Sequence, residues 1–250
     1  MQGLMVGVTG EFLSGKSTVA DIIKKRYPGT PSARYSDALR EFVSWVRREL
    51  VGQQVILPGR HAALAQVLKD IFYAEVLEHT RAPNALDAFA FWLTYSWGGP
   101  HYFRVEEDRK HLQDLSTALR SIFAENILER AIASRIDKMH SPTPISGIIE
   151  GVRRLVDIST LLSDPNYRAR FRLLYLECDP RIAFGRMHAR KENSDDATMT
   201  WDEFQALRGA EAENQIQSLR PHAHAVLHNN GTAAAFAESV ERVISEWILS

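Results

Sequence analysis

The sequence predicts an α/β fold of three layers, with a five-stranded parallel sheet covered by helices on both faces. Two observations carry this. Short apolar runs of strand length alternate along the chain with stretches of helical periodicity, the pattern of a parallel sheet whose crossovers are helices. The first run, Leu4 to Thr9, leads straight into Gly10-Glu-Phe-Leu-Ser-Gly15-Lys16-Ser17, which fills every fixed place of the phosphate-binding pattern G-x-x-x-x-G-K-[ST]. The size agrees: 250 residues, 45% of them hydrophobic, suit one large α/β domain or one domain carrying an insertion.

The elements follow in order. After the loop, Val19, Ala20, Ile22 and Ile23 recur at helical spacing between Thr18 and Tyr27. Tyr27-Pro-Gly-Thr-Pro31 is a turn cluster, and Ala33 to Ser36 a short second strand. From Asp37 to about Val51, Leu39, Phe42, Val43, Val46 and Leu50 line one helical face. His61 to Thr80 is strongly amphipathic, and Asn84 stands as a cap before a helix from Ala85 to Trp97. That helix carries Phe89, Phe91, Trp92, Tyr95 and Trp97 on more than one face, which reads as packed core, with a dimer contact or a pocket wall as the other uses. Asp108 to Met139 is one long helix or two broken ones, ended by Ser141-Pro-Thr-Pro144. Strands follow at Ile145 to Glu150 and Phe171 to Glu177, with a helix from Leu155 to Leu162 between them. Asp179-Pro180 opens a helix, Lys191 to Met199 is a polar aperiodic loop, and Thr200-Trp-Asp-Glu203 is a capping box for a helix to about Leu219. Ala223 to Leu227 is the fifth strand, and Thr232 caps the last helix.

The loop predicts that a nucleoside triphosphate binds. Gly10 and Gly15 admit backbone conformations that let successive N–H groups point at one anion, and the helix that follows adds its positive end. Lys16 can then span the β- and γ-phosphates, and the Ser17 hydroxyl can ligate Mg²⁺. The ATP-binding residues expected here are Gly10, Ser14, Gly15, Lys16, Ser17 and Thr18.

Composition narrows the remainder. Thirty basic against thirty-one acidic residues leave a formal charge of −1, so no global field draws the chain to duplex DNA or an anionic membrane. The single cysteine, Cys178, lies in an apolar run, as in a reduced compartment. No run reaches the ~18 apolar residues of a membrane span, and the N-terminus enters the first strand without a signal-peptide pattern, so a cytoplasmic location is expected. His222, His224 and His228 share strand spacing, but no acid or cysteine completes a zinc set.

Six segments, taken together, resemble the P-loop nucleotide kinases, above all the branch that holds dephospho-coenzyme A kinases and phage-type deoxynucleoside monophosphate kinases. They are Gly10 to Asp21, Tyr35 to Arg40, Arg109 to Gln113, Ile149 to Arg153, Leu176 to Arg181 and His228 to Thr232. The resemblance runs from end to end apart from about 52 to 105, which it makes a helical insertion in a single P-loop kinase domain spanning 1–250. It implies that Asp37 faces the acceptor and that Arg40 reaches an acceptor phosphate, although Asp37 also suits a helix cap and Arg40 a solvated surface. Arg109 and Gln113, four apart on one helical face, would take acceptor phosphate and base. Glu150, at the end of a strand beside the first, would hold the water shell of Mg²⁺, where relatives often have aspartate. Arg153 would bind a phosphate. Arg186 and Arg190 would close from a lid over 186–200, the other reading being complementation of a helix C-terminus. Asn230 and Gly231 would lie against the nucleotide base, although the segment is equally good helix-start chemistry.

The function so implied is transfer of the γ-phosphate of ATP, with Mg²⁺, to a deoxynucleoside monophosphate. Dephospho-coenzyme A and a modified nucleoside or DNA base are the alternative acceptors, and a nucleotide-dependent switch or ATPase is the alternative of another class. The expected partner is a small nucleotide. Charge weighs against nucleic acid, and a homodimer contact stays open.

Overall fold

The computed structural model describes residues 3–49, 61–72, 84–97, 109–190, 199–208 and 215–250. These divide into two compact units, one formed by 1–33 with 136–250 and the other by 34–135.

The first unit is built on a five-stranded sheet. Its strands are β1 (Leu4–Gly10), β2 (Ser32–Arg34), β3 (Ile145–Glu150), β4 (Phe171–Glu177) and β5 (Ala225–His228), in the spatial order β2-β3-β1-β4-β5. The pairings of β1 with β3, β1 with β4, and β4 with β5 are parallel. Every residue of β1 is buried, as a central strand covered on both faces requires. The helices of this unit are α1 (Lys16–Arg26), α7 (Ser159–Ser163), α8 (Pro165–Arg168), α9 (Pro180–Arg190), α10 (Trp201–Arg208) and α11 (Ala233–Leu249).

The strand order dictates the layers. Right-handed crossovers that step one way across a sheet put their helices on one face, and those stepping the other way use the opposite face. The path from β1 to β2 steps toward one edge, and the paths β3 to β4 and β4 to β5 step toward the other. Helix α1 shares a core with α11, which follows the last strand: Val19, Ala20 and Ile23 cluster with Phe236, Val240, Val243 and Ile244 and with Leu4, Val6 and Val8 of β1. Full burial of a Val, Leu, Ile or Phe side chain of this kind contributes about 1.5–3 kcal/mol relative to exposure. Helices α9 and α10 make a separate cluster of Cys178, Ala183, Met187 and Phe204. The direction of connection reverses between neighbours β1 and β4, which places a crevice beyond their C-terminal ends.

The second unit is helical: α2 (Tyr35–Glu49), α3 (His61–Phe72), α4 (Ala85–Trp92), α5 (Arg109–Ile122) and most of α6 (Ile127–Lys138). Its core is aromatic. Phe42 lies 6.1 Å from Phe72 and 5.7 Å from Phe89 between ring centroids, and Phe89 meets Phe123 edge-on at 5.3 Å.

Several expected elements differ in detail. The second strand ends at Arg34 rather than Ser36, because the Asp37 carboxylate accepts the Arg34 N–H at 2.8 Å and starts α2 two residues earlier. The aromatic helix is α-helical only to Trp92 and continues as a π turn over Leu93–Trp97, where the Thr94 hydroxyl donates to the Ala90 carbonyl at 2.8 Å and competes with the backbone ladder. The stretch from 108 to 139 resolves into two helices, and Arg120 ties the turn between them by donating to the Glu125 carbonyl at 2.7 Å. The helix expected over 155–162 breaks into a 3₁₀ turn, Leu155–Asp157, and α7, since Asp157 takes the N–H groups of both Arg153 and Arg154. The segments 73–80 and 191–198 lie outside the described residues, as does most of the 52–105 insertion and of the expected lid.

Candidate functional site

The loop between β1 and α1 has the backbone of an anion cradle. Gly10 has φ 146° and Gly15 φ 99°, both in the region that favours glycine. Space makes the same demand: a Cβ on Gly10 would lie 2.4 Å from the Leu176 carbonyl oxygen, and one on Gly15 would lie 2.5 Å from Asn229 Nδ2. Gly15 is also the N-cap of α1 and brings no side chain to the first-turn N–H groups, which leaves them to an external acceptor. Lys16 curls over the loop, its ammonium donating to the carbonyls of Gly10 and Glu11, each at 2.7 Å. Ser14 is fully buried, and its hydroxyl has no hydrogen-bond partner among the described residues.

Asn229, just beyond β5, fastens this loop. Its Nδ2 donates to the Ser14 carbonyl at 3.0 Å, and its Oδ1 accepts from Arg186 Nη2 at 3.2 Å. Cys178 completes the set, with its thiol 3.4 Å from the Asn229 carbonyl and Arg186 Nη1 3.4 Å from its sulfur. Burial pushes the Cys178 thiol up, outweighing the downward pull of Arg186 and Arg208, so the sulfur keeps its proton and donates. The neighbouring Asn230, expected at the nucleotide base, accepts the Asp179 N–H at 2.8 Å, and Gly231 is exposed. Nothing in the sequence separates Asn229 from Asn230; the contact with Ser14 spans 215 residues.

A further layer comes from α10. Its capping box forms in both directions, with the Thr200 N–H donating to Glu203 at 2.7 Å and the Glu203 N–H to Thr200 Oγ1 at 3.3 Å. Phe204 packs against Phe12 of the loop, ring centroids 6.0 Å apart, and Arg208 forms an ion pair with Glu11. Neither Glu11 nor Arg208 is signalled by the motif, since Glu11 fills a variable position and Arg208 lies outside it.

Glu150 ends β3 in register with Val8, so the strand order does set this buried acid beside β1. Ser17 and Thr18 are exposed in the first turn of α1. No group of three His, Cys, Asp or Glu side chains that could hold a metal ion exists among the described residues. Ser17 and Glu150 offer oxygen donors of the kind that suit Mg²⁺, which keeps waters and substrate oxygens as its other ligands. With the glycine cradle, the buried unpartnered Ser14 hydroxyl and Lys16, the residues present fit a triphosphate with Mg²⁺. Arg153 is exposed beyond β3. His224 and His228 stand at opposite ends of β5, His224 Nδ1 accepting the Leu173 N–H at 3.0 Å before the strand and His228 pairing with Glu177 at 3.1 Å at its last residue.

Apart from Arg153, which lies in the first unit, the residues expected on the acceptor side belong to the second unit. Asp37 stands in the first turn of α2 with its carboxylate on the Arg34 N–H, and Arg40 is exposed one turn on. Arg109 opens α5 and Gln113 is exposed one turn later in it. The side chains of Arg109 and Arg190 lie outside the described residues.

No family model matches the chain, and no curated protein matches it. Solved structures similar to it include TT1252 from Thermus thermophilus, 19% identical over 98% of each chain with a TM-score of 0.45. Another is a dephospho-CoA kinase from Campylobacter jejuni, 12% identical over 99% of this chain and 98% of that one, with a TM-score of 0.41.

Proposed function

We propose that the protein is an ATP-dependent phosphotransferase that passes the γ-phosphate to a nucleotide acceptor, a deoxynucleoside monophosphate being the preferred one. The observation that supports this most is the cradle itself: two glycines with positive φ, Lys16 folded over them and an uncapped helix start, at the reversal point of a parallel sheet. In this reading the loop amides and Lys16 hold the donor phosphates, Ser17 and Glu150 attend Mg²⁺, and Arg186 and Arg190 add positive charge to the transferring group. Bound Mg²⁺ would supply neutralisation of charge between the β- and γ-phosphates. The acceptor assignment rests on the sequence resemblance of Arg109 with Gln113, and of Glu150 to Arg153, to the phage-type kinases. Asp37, Arg40, Arg109, Gln113 and Arg153 are the residues that take it. The single kinase domain over 1–250, the inserted segment, the lid and the cytoplasmic location belong to the same proposal.

The test is ADP release from ATP and Mg²⁺ with a panel of nucleoside monophosphates and dephospho-coenzyme A. Release that depends on a nucleoside monophosphate is the expected outcome. Dependence on dephospho-coenzyme A alone would move the acceptor assignment, and release indifferent to every acceptor would make the protein an ATPase. Lys16→Ala should weaken ATP binding by roughly a hundredfold, the loss of charge-assisted hydrogen bonds. Unchanged binding would remove the donor site.

A further inference from the structure

Glu11 is a carboxylate inside a loop shaped for anions, and its surroundings give it a use. Its carbonyl receives Lys16 at 2.7 Å, while its side chain pairs with Arg208 from α10. The pair is largely withdrawn from water, the Arg208 and Glu11 side chains being 14% and 20% exposed. Glu11 engages one edge of the guanidinium, through Nη2. The other terminal nitrogen, Nη1, is buried and has no hydrogen-bond partner among the described residues. A dehydrated N–H edge without an acceptor is costly and is relieved by an oxygen placed against it. In the same loop as Glu11, Ser14 carries a buried hydroxyl that also has no hydrogen-bond partner among the described residues. Packing holds α10 in place for this: Phe204 is fully buried against Phe12, Phe184 and Trp201, and the Arg208 guanidinium stands 5.9 Å from the Phe204 ring centroid.

We infer that Arg208 is a phosphate-binding residue of the donor site, and that Glu11 is its positioning residue, holding one edge of the fork so that Nη1 meets a phosphate oxygen. This rests on the donor-site reading above. A guanidinium suits the task because its planar fork serves two acceptors at once, a carboxylate on one side and a phosphate on the other. A point-charge ammonium cannot hold both in fixed geometry. Glu11 also neutralises the arginine without consuming its second edge. The carboxylate in the loop is thereby reconciled with an anion site.

The experiment is a double-mutant cycle on the full chain, read by titration with inorganic tripolyphosphate and with adenosine. Arg208→Ala should weaken tripolyphosphate binding about tenfold or more while leaving adenosine binding unchanged. In the Glu11→Gln background the same Arg208→Ala change should cost less than about threefold, because the guanidinium is no longer held. Arg208→Lys, which keeps the charge and the stem, should fall between wild type and alanine, and it serves if the alanine variant fails to fold. Unchanged tripolyphosphate binding in both Arg208 variants would overturn the inference. An Arg208→Ala penalty as large in the Glu11→Gln background as in wild type would overturn the positioning role. Lys16→Ala separates the two layers: if it leaves tripolyphosphate binding intact the donor site itself is wrong, whereas loss there with no effect at Arg208 rejects only the present inference.

Discussion

Asn229 holds together parts of the chain that are remote in sequence: the phosphate loop through the Ser14 carbonyl, α9 through Arg186 and the end of β4 through Cys178. Its side chain is buried, so truncation leaves partners unsatisfied rather than rehydrated. Asn229→Ala should lower unfolding stability by about 1–3 kcal/mol and weaken ATP binding by roughly tenfold. Chemical denaturation and an ATP titration check both, and a variant normal in each would show that the clamp is incidental. At this scale the sequence was a partial guide. The glycines, Lys16 and Ser17 were legible because the motif specifies them by spacing. Asn229 was not, since either asparagine of Asn229-Asn-Gly231 satisfies a turn and only the end of β5 decides which one turns inward. Asp37 shows the reverse. Its helix-capping use, open in the sequence beside the acceptor role, is visible as a hydrogen bond to the Arg34 N–H.

Among the elements, β3 and β4 match their sequence bounds, and the caps at Thr200 and Thr232 form as their local patterns require. Elements with long apolar runs or side-chain caps declare themselves because the cause is local. The π turn after Trp92 and the break at Asp157 do not, because each depends on one side chain competing for backbone groups. The start of β5 adds a pH dependence. His224 Nδ1 accepts the Leu173 N–H, and burial, followed by the charge of Arg172, lowers the imidazole pKa from 6.5. The folded form therefore favours neutral imidazole, and the unfolded chain binds the proton more readily. This contribution is complete above the unfolded value of 6.5 and is lost as pH falls through the lowered folded pKa. The urea midpoint should hold steady from about pH 8 to 7 and decline below the unperturbed histidine range, with a shallower decline in His224→Gln. Identical slopes in the two proteins would exclude this histidine as the source.

For the whole molecule, the formal charge of −1 supplies no field to gather a polyanion. Duplex DNA at physiological salt should leave acceptor-dependent turnover within about twofold of its value without DNA. Strong stimulation would favour a base within DNA as acceptor. No helix among the described residues is long and apolar enough to cross a membrane. The two compact units explain where the aromatic segment goes. Phe89 and Trp97 are core of the helical unit, while Phe91 and Tyr95 are 64% and 62% exposed with rings 4.6 Å apart. The sequence by itself determined the α/β class, the five parallel strands and the phosphate loop, because periodicity and glycine spacing are local properties that backbone sterics translate directly. Only the tertiary structure decided that Asn229 clamps Ser14, that Arg186 joins it, and that Arg208 meets Glu11 across 197 residues. Those partners are chosen by where strand ends and helix faces converge in space, and no spacing along the chain encodes that convergence.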